Sequence, residues 1–373
     1  MKIFTTIILT FIYNIFFSQN HFKITLNAVE FEKDSLVIGP PMGSGNIFTL
    51  YNLEVSTNQR VSFMKNFNAA KIKIESKDNI IEGEISHPQP FSISHYDPKL
   101  NGGFVTNIFF IEKGDFIIDV IKKNNLSFIL HSESLSNIEY NALKEKLKSF
   151  DNKLKPFENN NQKDIDAKQQ FLQNYIKKNP NSFVAFWEIV DDFSKFGFNK
   201  SYVKNLSLFT DKVKKTFTYI TFKKIIEIEN STNLGGTFPD IIFENGEKIM
   251  KSDFSNYNLT LIDYWSTSCK PCINDLPKLT QLYAQYKNKN VNFISVTDEQ
   301  KEDRIYKANK ILEKNKVSWK NYFDLKREFP KKLNASGYPL QILVDKSGKI
   351  IARKMGELDQ IDEEIKKHIE EKF

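Results

Sequence analysis

The sequence predicts an α/β domain at the C-terminal end of the chain, preceded by an all-β sandwich or barrel domain and a helical region that links the two. Three observations lead there. Short β-rich runs separated by turn residues fill the chain to about residue 130. Apolar residues at three- and four-residue spacings then dominate to about residue 230. Behind Gly235-Gly236 comes a β-rich run, 259–265, of the kind buried on both faces of a sheet. A helical pattern and another β-rich run follow it, which is the order of a right-handed βαβ unit.

The chain starts with Lys2 and an apolar run, 3–17, interrupted only by Thr5, Thr6, Thr10 and Asn14, and then Ser18-Gln19-Asn20. A short charged region, an apolar region and a small residue read as a cleaved export signal over 1–18. The run falls short of the roughly 20 residues a spanning helix needs, so an uncleaved anchor is the lesser alternative. No cysteine near the cut offers a lipid anchor. A periplasmic location, where disulfide chemistry proceeds, is the expectation.

In the β domain, 19–130, the expected strands are 22–26, 47–55, 70–76, 80–86, 104–111 and 116–121. Gly39-Pro40-Pro41, Gly43-Ser44-Gly45, Asn101-Gly102-Gly103 and Lys113-Gly114-Asp115 divide them. His87 and His95 flank Pro88 and Pro90 with no carboxylate or cysteine to complete a ligand set, so they read as surface histidines rather than a metal site. In the helical region, 131–230, Asn179-Pro180-Asn181-Ser182 separates two helices, with Ser182 or Asn181 as N-cap. The stripe of Phe183, Phe186, Trp187 and Phe193 reads as helix packing rather than a ligand pocket.

The α/β domain, 231–373, opens with a strand, 238–243, and a hairpin turn at Asn245-Gly246. Strands follow at 259–265, 291–297, 340–344 and 350–353, and helices at 273–286, 304–314 and 360–371. The net charge of +7 arises from 53 basic and 46 acidic residues spread without a basic tract, which argues against nucleic-acid binding.

The only two cysteines, Cys269 and Cys272, stand between the 259–265 strand and the helix after it. The thiolate is the nucleophile in disulfide exchange, so a working cysteine needs a lowered pKa and an exposed position. A helix start supplies both, through unpaired backbone N–H groups and the positive end of the helix dipole. Pro271 suits a first helical turn, where its missing N–H costs nothing. Lys270 adds a positive charge beside the thiolate, and Cys272, one turn on, is placed to attack a mixed disulfide. A structural bridge closing so small a loop would stabilise little. Zinc would need two further ligands, and after His131 the sequence offers only His368.

The stretch Ile262-Asp263-Tyr264-Trp265-Ser266-Thr267-Ser268-Cys269-Lys270-Pro271-Cys272 resembles the thioredoxin superfamily, in particular the branch of exported TlpA- and ResA-like thiol-disulfide oxidoreductases. The resemblance implies a thioredoxin fold for the C-terminal domain. It also implies that Pro339, in Gly337-Tyr338-Pro339-Leu340, is the cis-proline that faces the disulfide and helps dock a partner chain. Asp263 then corresponds to a buried carboxylate beneath the pair that moves protons for Cys272; a satisfied strand residue is the plainer reading. Asp275 matches an acidic position that ResA-like members place near their cysteines, and it could equally be a first-turn helix carboxylate. Ser268 stands where the family usually has Trp, and Leu340 where it usually has Thr; both changes are expected to alter the docking surface. A β domain, a helical stretch and a C-terminal module of this kind also resemble a recurring layout of exported proteins in the branch, whose front domain has no established activity.

The expected activity is thiol-disulfide exchange on protein dithiols and disulfides, without a cofactor, with a membrane-bound electron donor restoring the reduced enzyme. Three other classes compete. A peroxiredoxin-like peroxidase would normally lack the second cysteine, and a copper chaperone would want a Cys-x-x-x-Cys spacing with a nearby histidine. An exported binding protein could use its β domain and keep the redox module as a secondary feature.

Overall fold

The computed structural model describes residues 20–370 apart from 42–46, 78, 98–101, 123–124, 133, 159, 302 and 357. The export signal read over 1–18 lies outside the described residues. The chain divides into two compact units, Met1–Lys223 and Lys224–Phe373. Among the described residues, no helix is long and apolar enough to cross a membrane.

The first unit contains β1 (His21–Asn27), β2 (Ser35–Gly39), β3 (Glu54–Val55), β4 (Val61–Met64), β5 (Ala69–Lys73), β6 (Ile80–Glu84), β7 (Gln89–Asp97), β8 (Gly102–Val105), β9 (Phe109–Ile111), β10 (Gly114–Ile121) and β11 (Ser127–Leu130). They form two sheets, β11-β10-β1-β6-β3 and β4-β5-β2-β7-β8, with β9 paired to β7. Among the described residues of these two sheets, only β1 and β10 pair in parallel, with Phe22 opposite Gly114. Alternate residues such as Phe22, Ile24 and Leu26, or Phe116, Ile118 and Val120, are buried, so each sheet covers one face. The 47–55 run is not one strand. Ile47, Leu50 and Leu53 are buried at three-residue intervals, a period that suits the 3-10 turn Phe48–Leu50 and leaves only two residues of strand. The 104–111 run is likewise split between β8 and β9.

His87 and His95 are not surface histidines. They are 5% and 4% exposed, His87 stacked on Phe183 and His95 set edge-on to Phe31. His95 also has a carboxylate, with its Nε2 3.4 Å from Asp34. The sequence concealed this because β7, which carries His95, starts among prolines. Pro90 is tolerated there because its opposite number, Phe110, uses its own N–H and C=O on the Asn137 side chain, each at 2.8 Å. The ladder therefore needs no donor from Pro90.

Helices follow as α1 (Leu135–Asp151), α2 (Gln162–Lys178), α3 (Phe183–Phe196), α4 (Ser201–Ser207), α5 (Asp211–Lys214) and α6 (Phe217–Thr232). Ser182 caps α3, its hydroxyl accepting the Ala185 N–H at 2.8 Å. The aromatic stripe of α3 packs as a core, with Phe186 against Phe209, Tyr219 and Phe222. Beneath it, the buried Lys168 ammonium reaches Asp151 at 2.7 Å, Glu188 at 2.8 Å and Asp192 at 2.5 Å.

The second unit begins with a hairpin of β12 (Ile241–Ile242) and β13 (Lys248–Ile249), shorter than the 238–243 strand the sequence suggests. Gly246 turns it at φ +81°, which only glycine adopts freely. Then come β14 (Leu259–Trp265), α7 (Lys270–Tyr286), β15 (Val291–Asp298), α8 (Asp303–Lys314), β16 (Lys320–Asp324), α9 (Glu328–Leu333), β17 (Leu340–Asp345), β18 (Ile350–Met355) and α10 (Leu358–Glu370). The sheet order is β16-β15-β14-β17-β18, parallel from β14 through β16 and antiparallel at β17 and β18.

Every residue of β14 is buried because the sheet is covered on both faces. Ile262 and Tyr264 face a core with Phe329, Leu333 and Ile342. Leu259 and Leu261 face the opposite core, with Leu276, Leu279 and Leu282 of α7 and Ile361 and Ile365 of α10. Strand alternation then puts Asp263 and Trp265 on the face that α7 covers. This is the thioredoxin fold.

Candidate active site

Cys269 is separated from the end of β14 by three residues and is the N-cap of α7, with extended backbone. Its Sγ accepts the Cys272 N–H at 3.1 Å, so the sulfur occupies the place a Ser or Asp oxygen takes at other helix starts. The two cysteines are joined in a disulfide with Cα atoms 5.3 Å apart. Pro271 lies in the first turn, where the helix has no use for its missing N–H. Cys269 is 7% and Cys272 2% exposed, so the pair is less open than a freely accessible thiol. Trp265, Ala308 and Leu312 enclose it, with Tyr338 and Ile273 packed against that cluster. Cys269 keeps the larger surface and would be met first by an incoming sulfur.

The peptide bond between Tyr338 and Pro339 is cis. Tyr338 brings this turn against the cysteine cluster. Lys270 is exposed beside the pair. Of the two departures from the family pattern, Ser268 is exposed, its hydroxyl 2.9 Å from that of Ser266. Leu340 is instead buried in the core on the other face of the sheet, so it does not contribute to a docking surface as the sequence had suggested. Strand alternation turns its side chain away from α7.

Asp263 is 3% exposed, and one of its oxygens accepts the Gln341 side-chain N–H at 3.0 Å. The two residues are register partners on β14 and β17. Burial pushes the Asp263 carboxyl up to about 7, the Gln341 hydrogen bond pulls it back, and the Asp275 carboxylate adds to the rise. Asp275, in the second turn of α7, is half-buried and also raised, by burial first, with Lys278 opposing and Asp359 reinforcing. A buried carboxyl titrating near neutral pH can exchange a proton where a permanently ionised one could not.

Sequence reasoning missed Gln341, Glu299 and Arg304. A glutamine inside the apolar run Leu340–Asp345 was a readable sign of a buried polar partner. Glu299 and Arg304 left no local sign, because their role depends on the sheet bringing the end of β15 beside the end of β14. Glu299 is buried at 2% exposure, accepts the Thr267 N–H at 2.7 Å and pairs with the Arg304 Nε at 3.0 Å. Among the described residues, carboxylates with metal-ligand spacing occur at Glu188, Asp191 and Asp192, in the first unit. Glu188 and Asp192 are already bonded to Lys168 there.

The Redoxin family matches residues 233–369. The thiol-disulfide oxidoreductase ResA of Bacillus thuringiensis subsp. konkukian is 30% identical over 153 residues, which is 37% of this chain and 80% of that protein. ResA of Geobacillus kaustophilus is 23% identical over 154 residues, 41% of this chain and 85% of that protein. Of solved structures, a thiol:disulfide interchange protein from Bacteroides sp. is 28% identical, covering 38% of this chain and 92% of that one, with a TM-score of 0.32. Since the Bacillus relative is matched over most of its length, and the Redoxin match spans both cysteines, the chain belongs to the ResA-like thiol-disulfide oxidoreductases of the thioredoxin superfamily.

Proposed function

We propose that the protein reduces disulfides of exported proteins, with Cys269 as the attacking thiolate and Cys272 as the resolving one. The observation that carries this reading is the Cys269 sulfur at the N-terminus of α7, accepting the Cys272 N–H at 3.1 Å. Backbone donors and the helix dipole favour a thiolate there over a thiol. In the reduced enzyme, the Cys269 thiolate attacks one sulfur of the substrate disulfide, forming a mixed disulfide and expelling a substrate thiolate. Cys272, losing its proton to Asp263, then attacks the Cys269 sulfur. The Cys269–Cys272 disulfide forms, the second substrate thiolate leaves, and two electrons have passed to the substrate.

Pro339, in its cis turn, would present backbone to the partner chain. Lys270 would add positive charge beside the thiolate, and Asp275 would tune the proton equilibrium through Asp263. A membrane-bound donor would return the two electrons, in a periplasmic setting reached through the export signal at 1–18. Changing Cys272 to Ser should leave the mixed disulfide unresolved and trap covalent complexes with exported proteins. Absence of any such complex in cells, with the folded variant present, would overturn the reading. Equilibration with glutathione buffers fixes the direction: a potential well below that of the glutathione couple means a reductant, one well above it an oxidant.

A further inference from the structure

We propose that Glu299 and Arg304 are positioning residues for Cys269, which hold the turn that carries it and set the balance of charge beside it. The inference rests on Cys269 and Cys272 being the redox pair. Three residues, Ser266, Thr267 and Ser268, connect β14 to Cys269, and each is tied to one buried carboxylate. Glu299 Oε1 accepts the Thr267 N–H at 2.7 Å and the Ser266 hydroxyl at 3.3 Å. Ser268 joins through Ser266, by its N–H at 3.3 Å and its hydroxyl at 2.9 Å. The Ser266 carbonyl in turn accepts the Cys269 N–H at 3.0 Å. The other Glu299 oxygen is taken by the Arg304 Nε at 3.0 Å, while the Arg304 Nη2 donates to the Thr267 hydroxyl at 2.7 Å. Thr267 is therefore gripped by its backbone from Glu299 and by its side chain from Arg304.

Ser266 and Thr267 are buried, at 2% and 3% exposure, so their polar groups find partners in these bonds and not in solvent. A neutral side chain could supply the acceptor for Thr267, but the structure has an ion pair there. Removing either partner leaves one uncompensated charge beside the cysteine turn, and a neighbouring positive charge lowers a thiol pKa while a negative one raises it. Other titratable groups on the surrounding elements include Lys270 and Asp275 on α7, Asp263 on β14, Asp303 and Lys307 on α8, the helix whose Ala308 packs on the pair, and Tyr338 before the cis-proline. None of them is changed by altering the pair.

The full chain tests this with Glu299→Gln, which keeps an acceptor for Thr267, with Arg304→Met, and with both changes together. The Cys269 pH profile is read from iodoacetamide alkylation in a Cys272→Ser background, and the redox equilibrium with glutathione is read with both cysteines present. Glu299→Gln leaves Arg304 uncompensated and should raise the alkylation rate near neutral pH about threefold. Arg304→Met leaves Glu299 uncompensated and should lower it about threefold, and the double variant should return towards the parent. The redox equilibrium should shift in opposite senses for the two single variants. A purely structural clamp would move both in the same sense, and either that result or an unchanged pH profile overturns the proposal. If Cys269→Ser retains disulfide reduction, the redox-pair reading fails. If Cys269→Ser abolishes it while both charge variants keep the parent pH profile, this inference alone fails.

Discussion

Asp263 joins a buried, pH-sensitive group to the cysteine helix. Its carboxyl is raised from 3.8 to about 7 by burial. An acid whose folded pKa lies above its unfolded value contributes stability that is fully present below the unfolded pKa and is lost as pH rises through the folded one. The second unit should therefore lose stability between about pH 4 and pH 7 on account of this one group, by on the order of 4 kcal/mol. Asp263→Asn keeps an oxygen for the Gln341 N–H and stays neutral at every pH. Urea titrations from pH 4 to pH 8 should show parent and variant converging at low pH, with the variant the more stable at high pH. Parallel curves would mean that Asp263 does not titrate in this window. If Asp263 takes the Cys272 proton as proposed, the same variant at neutral pH should slow mixed-disulfide release, followed by single-turnover kinetics, roughly 100-fold.

At the scale of elements, Gly83 on β6 shows how closely the first unit's strands approach. A Cβ there would stand 1.9 Å from the Glu54 carbonyl oxygen and 2.9 Å from the Phe22 ring. Gly83→Ala must displace the β3 backbone, and the Phe22 ring as well, and should cost about 2–3 kcal/mol in a denaturant titration. A cost under about 0.5 kcal/mol would mean that β3 moves aside freely.

Elements were legible in the sequence where burial imposed one clear period. The 259–265 run is a strand over its whole length because both of its faces are covered. The run from Cys269 was readable as a helix start because cysteine, proline and an amphipathic pattern agree there. The rest required the third dimension. The β16 strand, Lys-Asn-Tyr-Phe-Asp, lies at the sheet edge and lacks an apolar run, and its Asn321 and Asp324 are turned to partners within the fold. Strand β7 hid behind Pro88 and Pro90, since nothing in the local sequence shows that Asn137 on α1 donates to the Phe110 carbonyl in place of the N–H that Pro90 lacks. Of the site, the cysteines, Asp263 and Pro339 could be found from local pattern. Glu299, Arg304 and Gln341 could not be placed there, since each reaches the cysteine turn or Asp263 across strand pairing rather than along the chain.

On the scale of the whole molecule, the buried ion cluster around Lys168 and the cysteine pair belong to different units. Every residue assigned to the cysteine site lies within Lys224–Phe373. In the other unit, Lys168 holds three carboxylates, and two of its partners, Glu188 and Asp192, are as buried as it is. Burial alone would discharge Lys168, yet the surrounding carboxylates keep its pKa well above the ordinary value. Removing one member of such a group leaves the remaining charges buried and uncompensated, which costs about 3–5 kcal/mol. Lys168→Met should therefore lower the denaturation midpoint of the first unit strongly. Under conditions where both units remain folded, its Cys269 alkylation profile and its equilibrium with glutathione should match the parent. A shift in the thiol chemistry of that variant would mean that the first unit acts on the cysteine site, and the helical and β elements would then belong to the enzyme's mechanism as well as to its fold.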